Sequence, residues 1–318
     1  MNLDFSDSLF IISGAGGFLG TRLVKELYRC KAAVAANSLE YLEGVEWYGK
    51  NSEDRVLCTV GPFHERSQEL SSFIKCQSRP KIICFHMAGM SHAGECEKMP
   101  GKAFEANVTT TSQVLQFCKE NGVTEFIFPS TCHVYDDNGR HPKKETAALN
   151  PKSYYAITKL VAEELVKRFC QVYALKGKVI RFSNIYGTGS HPDTVINTIL
   201  AQIKTGNNVR VKDVGPVCDF IHLKDAVEGL LRVVLLEGDS ACEVFNISSG
   251  YGVSIKDLIA MAYQAGGIQP REQDEPISPS ISKSHLVLDN QKLYMLAEWR
   301  PSITLSAGLK RVLTPENR

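Results

Sequence analysis

The 318-residue chain has no excess of either charge, with 36 lysines and arginines against 35 aspartates and glutamates. That balance leaves no broad field to draw in nucleic acid or an anionic membrane surface. Its ten cysteines include no C-x-x-C pair and are scattered singly from Cys30 to Cys242. Scattered thiols in apolar segments, with no export signal, point to buried reduced side chains and a cytoplasmic location. His86 and His92 stand six residues apart in a glycine-containing segment, which is not a metal-binding spacing, so no metal is expected. The start, MNLDFSDSLFII, lacks a basic flank, and glycines cut its apolar run. It reads as neither signal peptide nor membrane span. No internal repeat is visible, which argues against a solenoid.

A hydrophobic content of 43% and a charged content of 22% suit a compact soluble protein with one large domain and a smaller companion. LFIISGAGGFLGTRLVKELYRC reads as a buried strand, a glycine-rich turn and an amphipathic helix. Further buried strands are expected at AAVAA, RVLC, KIICFHMAG, EFIFPST and GKVIRFSNIYG. Helical patterns at AFEANVTTTSQVLQFCKENG and YYAITKLVAEELVKRFCQVYAL separate the later ones. Alternation of this kind predicts an α/β fold, a Rossmann-like parallel sheet with helices on both faces. The main dinucleotide-binding domain is expected over 1–184, with 217–245 returning to it. Segments 185–216 and 246–318 are expected to form a smaller C-terminal substrate lobe, with the Pro- and Ser-rich EQDEPISPSISKS as an exposed connection.

Gly14, Gly17 and Gly20 form G-x-x-G-x-x-G where the first strand enters the first helix. Glycine permits a tight turn and close backbone approach, and a helix N-terminus stabilises a pyrophosphate. A merely structural turn has the same composition; the strand–turn–helix context favours dinucleotide binding. An acidic ribose-binding residue usually follows about 20 residues after such glycines, but Ala36 occupies that place, beside Asn37 and Ser38. Asn37 is the candidate ribose contact. Loss of the carboxylate removes an obstacle to a 2′-phosphate, yet no adjacent arginine recommends one, so NAD and NADP both stay open.

Tyr155 and Lys159 are four residues apart in SYYAITK, on one helical face. A nearby ammonium lowers a phenol's pKa and prepares it for proton transfer. Thr131, just after EFIF, completes a set suited to oxidising or reducing an alcohol. The plainer alternative packs Tyr155 in the core and turns Lys159 to water.

Taken in order, SGAGGFLG, HMAGMSHAGE, the Asn107 helix, FPSTCHVYD, NPKSYYAITK, RFSNIYG, DFIHLKD and FNISSG resemble the extended short-chain dehydrogenase/reductase family. The likeness is to its nucleotide-sugar epimerases, dehydratases and reductases. The resemblance implies Thr131, Tyr155 and Lys159 as catalytic residues, with His133 as a further candidate. It implies cofactor contacts from Gly14, Gly17, Phe18, Leu19, Gly20, Asn37, Met87, Ala88, Gly89, Asn107, Tyr155 and Lys159. Substrate contacts are implied for Thr131, His133, Asn184 and Arg210. The implied partner is a nucleotide-linked sugar, and the implied assembly a homodimer with the Tyr155 helix in its interface.

Two departures narrow the reading. Relatives that perform 4,6-dehydration carry Thr-Asp-Glu where this chain has Thr131-Cys132-His133, so that elimination is disfavoured. His133 is either a second proton donor or a local hydrogen-bonding group lining the cleft. Many relatives also place an arginine before the aspartate of the DFIH segment; here it is Cys218, which lacks the guanidinium fork. Arg210 and Lys212 are candidate substitutes. His222 is either part of the site or an orienting group for its loop. The leading expectation is a 4-epimerase acting through a transient ketone. The alternatives are a 4-ketoreductase and a non-catalytic dinucleotide-binding protein.

Overall fold

The computed structural model describes residues 3–40, 55–269 and 284–314. The expected connection at 272–284 lies outside these, apart from Ser284. The chain divides into two compact units. The first contains 1–130, 151–180 and 237–244, and the second contains 131–150, 181–236 and 245–318.

The first unit is built on a sheet of β1 (Ser8–Ser13), β2 (Ala33–Ser38), β3 (Val56–Val60), β4 (Lys81–His86), β5 (Glu125–Thr131), β6 (Lys176–Phe182) and, after two strands of the second unit, β9 (Cys242–Ile247). Its order is β3-β2-β1-β4-β5-β6-β9, and β3 through β5 are parallel. Every residue of β1 and β2 is buried, as expected for central parallel strands covered on both faces. Leu9, Ile11, Ala33, Ala35, Cys84, Phe126 and Phe128 share one apolar cluster with Leu115, Ala162 and Val166 from helices. Strand order reverses between β1 and β4, so the chain leaves those two strands in opposite directions. Such a switch point opens a crevice at the strands' carboxyl ends, where the Gly14 turn and the Met87–Ala88–Gly89 segment lie.

In the second unit, β8 (Val217–His222) pairs with β10 (Gly252–Ser254), β11 (His285–Leu286) and β7 (Asn184–Tyr186). The domain division therefore differs from the sequence expectation. Only Glu237–Val244 of 217–245 groups with the first unit, because β8 takes its partners from the small sheet. Segment 131–150 likewise belongs to the second unit. Asp219 on β8 is fully buried. One carboxylate oxygen accepts from Ser249 N at 3.0 Å and Ser249 Oγ at 2.6 Å. The other accepts from Gly250 N at 3.1 Å and Leu288 N at 3.3 Å. Burial pushes the Asp219 carboxyl pKa up, and hydrogen bonds from Ser249, Leu288 and Ser183 pull it back. No described helix is long and apolar enough to cross a membrane.

Asp219→Ala strands three backbone donors and should cost roughly 3–5 kcal/mol. Native-state hydrogen exchange should report it as lost protection at Gly250 and Leu288, with protection in β1 retained.

Candidate active site

Gly14 turns at φ +72°, and a Cβ built there would lie 2.5 Å from Ala88 N. Only a residue without a side chain lets the turn after β1 lie against the segment after β4. At Gly20 a Cβ would lie 2.4 Å from Gly14 O, so the first helix can close on the turn only with glycine. That helix, Phe18–Arg29, begins at Gly17 with no side-chain cap and no acidic residue in its first turn. Phe18 and Leu19 are half-buried on that turn. Uncapped helical N–H groups carry the positive end of the helix dipole, and a pyrophosphate fits that cradle.

Asn37 ends β2 as a buried amide whose Nδ2 donates to Thr59 Oγ1 and Gly61 O, both at 3.1 Å. Its backbone oxygen accepts from Ala15 N at 2.8 Å, tying β2 to the glycine turn. With Nδ2 committed, what the Asn37 amide has left for a cofactor is an acceptor, which suits a ribose hydroxyl better than a phosphate. These features fit a dinucleotide with a free 2′-hydroxyl.

The helix carrying Tyr155 and Lys159 runs over Tyr154–Tyr173. Ser153 caps it by accepting from Ala156 N at 3.2 Å, and Glu97 accepts from Tyr154 N at 2.7 Å. These two bonds satisfy donors that a helix start otherwise leaves open. Tyr155 is half-buried. Lys159 is buried, with Nζ 4.1 Å from the centre of the Phe128 ring. Burial lowers its pKa to about 8, while Glu163, one turn on, opposes the shift. The alternative in which Lys159 faces water is excluded by that burial. Glu163 is itself fully buried and accepts from Ser130 Oγ.

Asn107 fastens this helix to the loop after β4. Its Oδ1 accepts from Met90 N at 2.7 Å, and its Nδ2 donates to Met90 O at 3.0 Å and Thr158 Oγ1 at 2.9 Å. Thr158 Oγ1 donates in turn to Tyr155 O at 2.8 Å. The amide is committed to the protein, so Asn107, expected as a cofactor contact, acts here by placing Met90 and Thr158. It reaches both from a π-helical turn, Glu105–Thr109, inside the predicted helix.

In the second unit, Thr131 Oγ1 accepts from His133 N at 3.2 Å. Packed protein lowers the His133 pKa, opposed by a hydrogen bond with the Asn184 side chain and by Asp137. The residue is nonetheless exposed to solvent. Asn184 Nδ2 donates to Asp219 O at 3.0 Å, so Thr131, His133 and Asn184 form one group. Arg210 is exposed on the loop after the Val195–Lys204 helix, with its backbone bonded to Gln202. Lys212 is exposed on the same loop. Cys218 packs against the apolar core of the unit, and burial raises its thiol pKa to about 11. His222 caps the Leu223–Val234 helix by accepting from Lys224 N at 3.2 Å, which is the orienting role. Sequence reasoning missed Glu163 and Thr158; the i+4 spacing of Lys159 and Glu163 was the available signal.

A UDP-glucose 4-epimerase of Halalkalibacterium halodurans is 24% identical over 322 residues, covering 92% of this chain and 90% of that protein. A GDP-6-deoxy-D-mannose reductase of Pseudomonas aeruginosa is 26% identical over 239 residues, covering 72% and 78%. Among solved structures, a UDP-glucose 4-epimerase of Thermotoga maritima with UDP-glucose superposes at a TM-score of 0.80 and 24% identity, over 96% of this chain and 97% of that one. At that identity the likeness speaks for the fold. The model of the NAD dependent epimerase/dehydratase family matches residues 10–248, more than half of the sequence, and the chain belongs to that family.

Proposed function

We propose that this chain is an NAD-dependent nucleotide-sugar 4-epimerase acting through a transient keto-sugar. The observation that carries the reading is the buried ammonium of Lys159, one helical turn from Tyr155 and held at a pKa of about 8. Taking a charge out of water is costly, and its use here is to favour the tyrosinate. The likeness to UDP-glucose 4-epimerases supports the reading, and the Asn37 acceptor supports NAD over NADP.

Gly14, Gly17, Phe18, Leu19 and Gly20 would hold the pyrophosphate, Asn37 a ribose hydroxyl, and Lys159 the second ribose. Met87, Ala88 and Gly89 would line the cofactor. NAD, when bound, supplies a hydride acceptor that is restored within each turnover. Tyr155 takes the proton from the sugar C4 hydroxyl and, once the keto-sugar has turned to present its opposite face for hydride return, gives it back to the C4 oxygen. We assign Thr131 a hydrogen bond to that oxygen, and Asn184 with His133 contacts to the sugar. Arg210 is the proposed contact for the phosphate side, since Cys218 packs into the core. The 1–184 and 217–245 division is replaced in this proposal by the two compact units. The thiol-rich interior suits a reducing cytoplasm.

A homodimer is part of the proposal. Met99, Phe104, Ile157 and Val161 are each 38–45% exposed. They belong to the segment 99–104 and to the Tyr154–Tyr173 helix, which packs against Pro100–Phe104. Adjacent helices with exposed apolar residues are a natural helix-to-helix interface.

Four outcomes test this reading. Incubation with UDP-hexoses should yield the 4-epimer with no net change in NADH, and Tyr155→Phe should lower turnover about 100-fold or more without weakening NAD binding. Stoichiometric NADH consumption would instead make the enzyme a reductase. Lys159→Met should abolish turnover yet raise stability at pH 7 by on the order of 2–3 kcal/mol. The burial cost is fully present below about pH 8 and is relieved as pH rises toward 10.5, so the gain should shrink over that range in urea titrations. Val161→Glu should convert a dimer to a monomer in light scattering.

A further inference from the structure

A line of buried hydrogen bonds joins the end of β1 to the helix of Tyr155 and Lys159. Ser13, His86, Thr111, Asn107 and Thr158 are each at most 2% exposed. Ser13 Oγ lies 2.6 Å from His86 Nδ1, and His86 Nε2 lies 2.9 Å from Thr111 Oγ1. Thr111 Oγ1 donates to Asn107 O at 2.7 Å. The Asn107 amide then holds Thr158, which donates to Tyr155 O.

The proton positions along this line follow from the donors available. The single Thr111 hydroxyl hydrogen goes to Asn107 O, so Thr111 accepts from His86 Nε2–H. His86 Nδ1 is then the bare nitrogen, and it accepts the Ser13 hydroxyl hydrogen. Ser13 Oγ in turn accepts from Ala88 N at 3.5 Å. Every hydroxyl hydrogen and ring nitrogen has one assigned role, and the pattern holds only for a neutral imidazole with its proton on Nε2.

The surroundings favour the same state. The His86 ring stacks on Phe128 at 6.0 Å and 26°, and Lys159 Nζ lies over that same ring. Burial first, then the Lys159 charge, lower the His86 pKa to about 3. The charged groups involved are Lys159 and, on its own helix, Glu163.

We propose that His86 is a positioning residue of this site, a neutral Nε2–H imidazole that ties β1 and the cofactor turn to Asn107 and so to the helix of Tyr155 and Lys159. The catalytic part of this inference rests on the epimerase reading; the tautomer does not. His86 touches no reacting atom. It acts by fixing the Asn107 turn, which sets where Tyr155 and Lys159 stand.

The tautomer is read without ligand, in 15N-labelled protein. The His86 ring should give a protonated Nε2 and a bare Nδ1 that do not titrate between pH 5 and 9. A titrating ring, or a proton on Nδ1, would overturn the proposal whatever the enzyme's substrate. Turnover gives the second readout. His86→Ala, which removes both ring hydrogen bonds, should lower kcat about tenfold, with the sugar KM little changed. His86→Gln, whose amide can still donate toward Thr111, should recover most of it. Thr111→Val keeps the side-chain shape and should repeat the kcat loss where His86→Ala does not fold. Unchanged kcat in Thr111→Val, or equal losses in the Gln and Ala variants, would show His86 to be structural only. Failure of wild-type turnover on every UDP-hexose would count against the epimerase reading, while the ring spectrum would still decide the tautomer.

Discussion

The side-chain amide of Asn107 holds the loop after β4 and the Tyr155 helix at once, and it reaches both because its own helix passes through a π turn. A π turn carries one residue more than an α turn and displaces the side chains around it. The buried amide has no water to fall back on, so each of its bonds must be met by protein. Moving Tyr155 away would break Thr158 from Asn107, and moving Asn107 would release Met90. The glycine turn, the loop after β4 and the Tyr155 helix are therefore held as one body within the first unit.

Charge is handled on the same principle. Lys159 keeps its ammonium in a buried place because Phe128 offers a ring face and Glu163 a carboxylate. The neighbouring imidazole of His86 stays neutral, which spares Lys159 a second positive charge. A cation so placed costs stability, and the proposed proton-transfer role is what would offset that cost. Burial brings its pKa down to about 8, well below a lysine's ordinary value.

The second unit spends its buried carboxylate differently. Asp219 gathers the backbone around Ser249, Gly250 and Leu288, and its neighbour Cys218 turns into the apolar core. Alternation along β8 sends the two side chains to opposite faces. An arginine at 218 would have to leave that core; a thiol packs into it. On the epimerase reading, the phosphate side would then rest on other groups, Arg210 among them.

Much of the fold was legible in the sequence, because parallel strands covered on both faces must be continuous apolar runs. SLFIIS, KIICFH and EFIFPST announce themselves for that reason. The glycine turn and the Tyr155–Lys159 spacing were equally plain, since both follow from local geometry within a dozen residues. Tertiary structure alone decided the rest. The sequence expectation returned segment 217–245 to the main domain, yet β8 pairs with β7, β10 and β11, a choice made between segments distant in the chain. The π turn at Asn107, the neutral state of His86 and the direction of Cys218 likewise depend on which groups surround them. Local sequence determines which residues prefer strand, turn or helix; burial and hydrogen-bond satisfaction between remote segments determine what those residues then do.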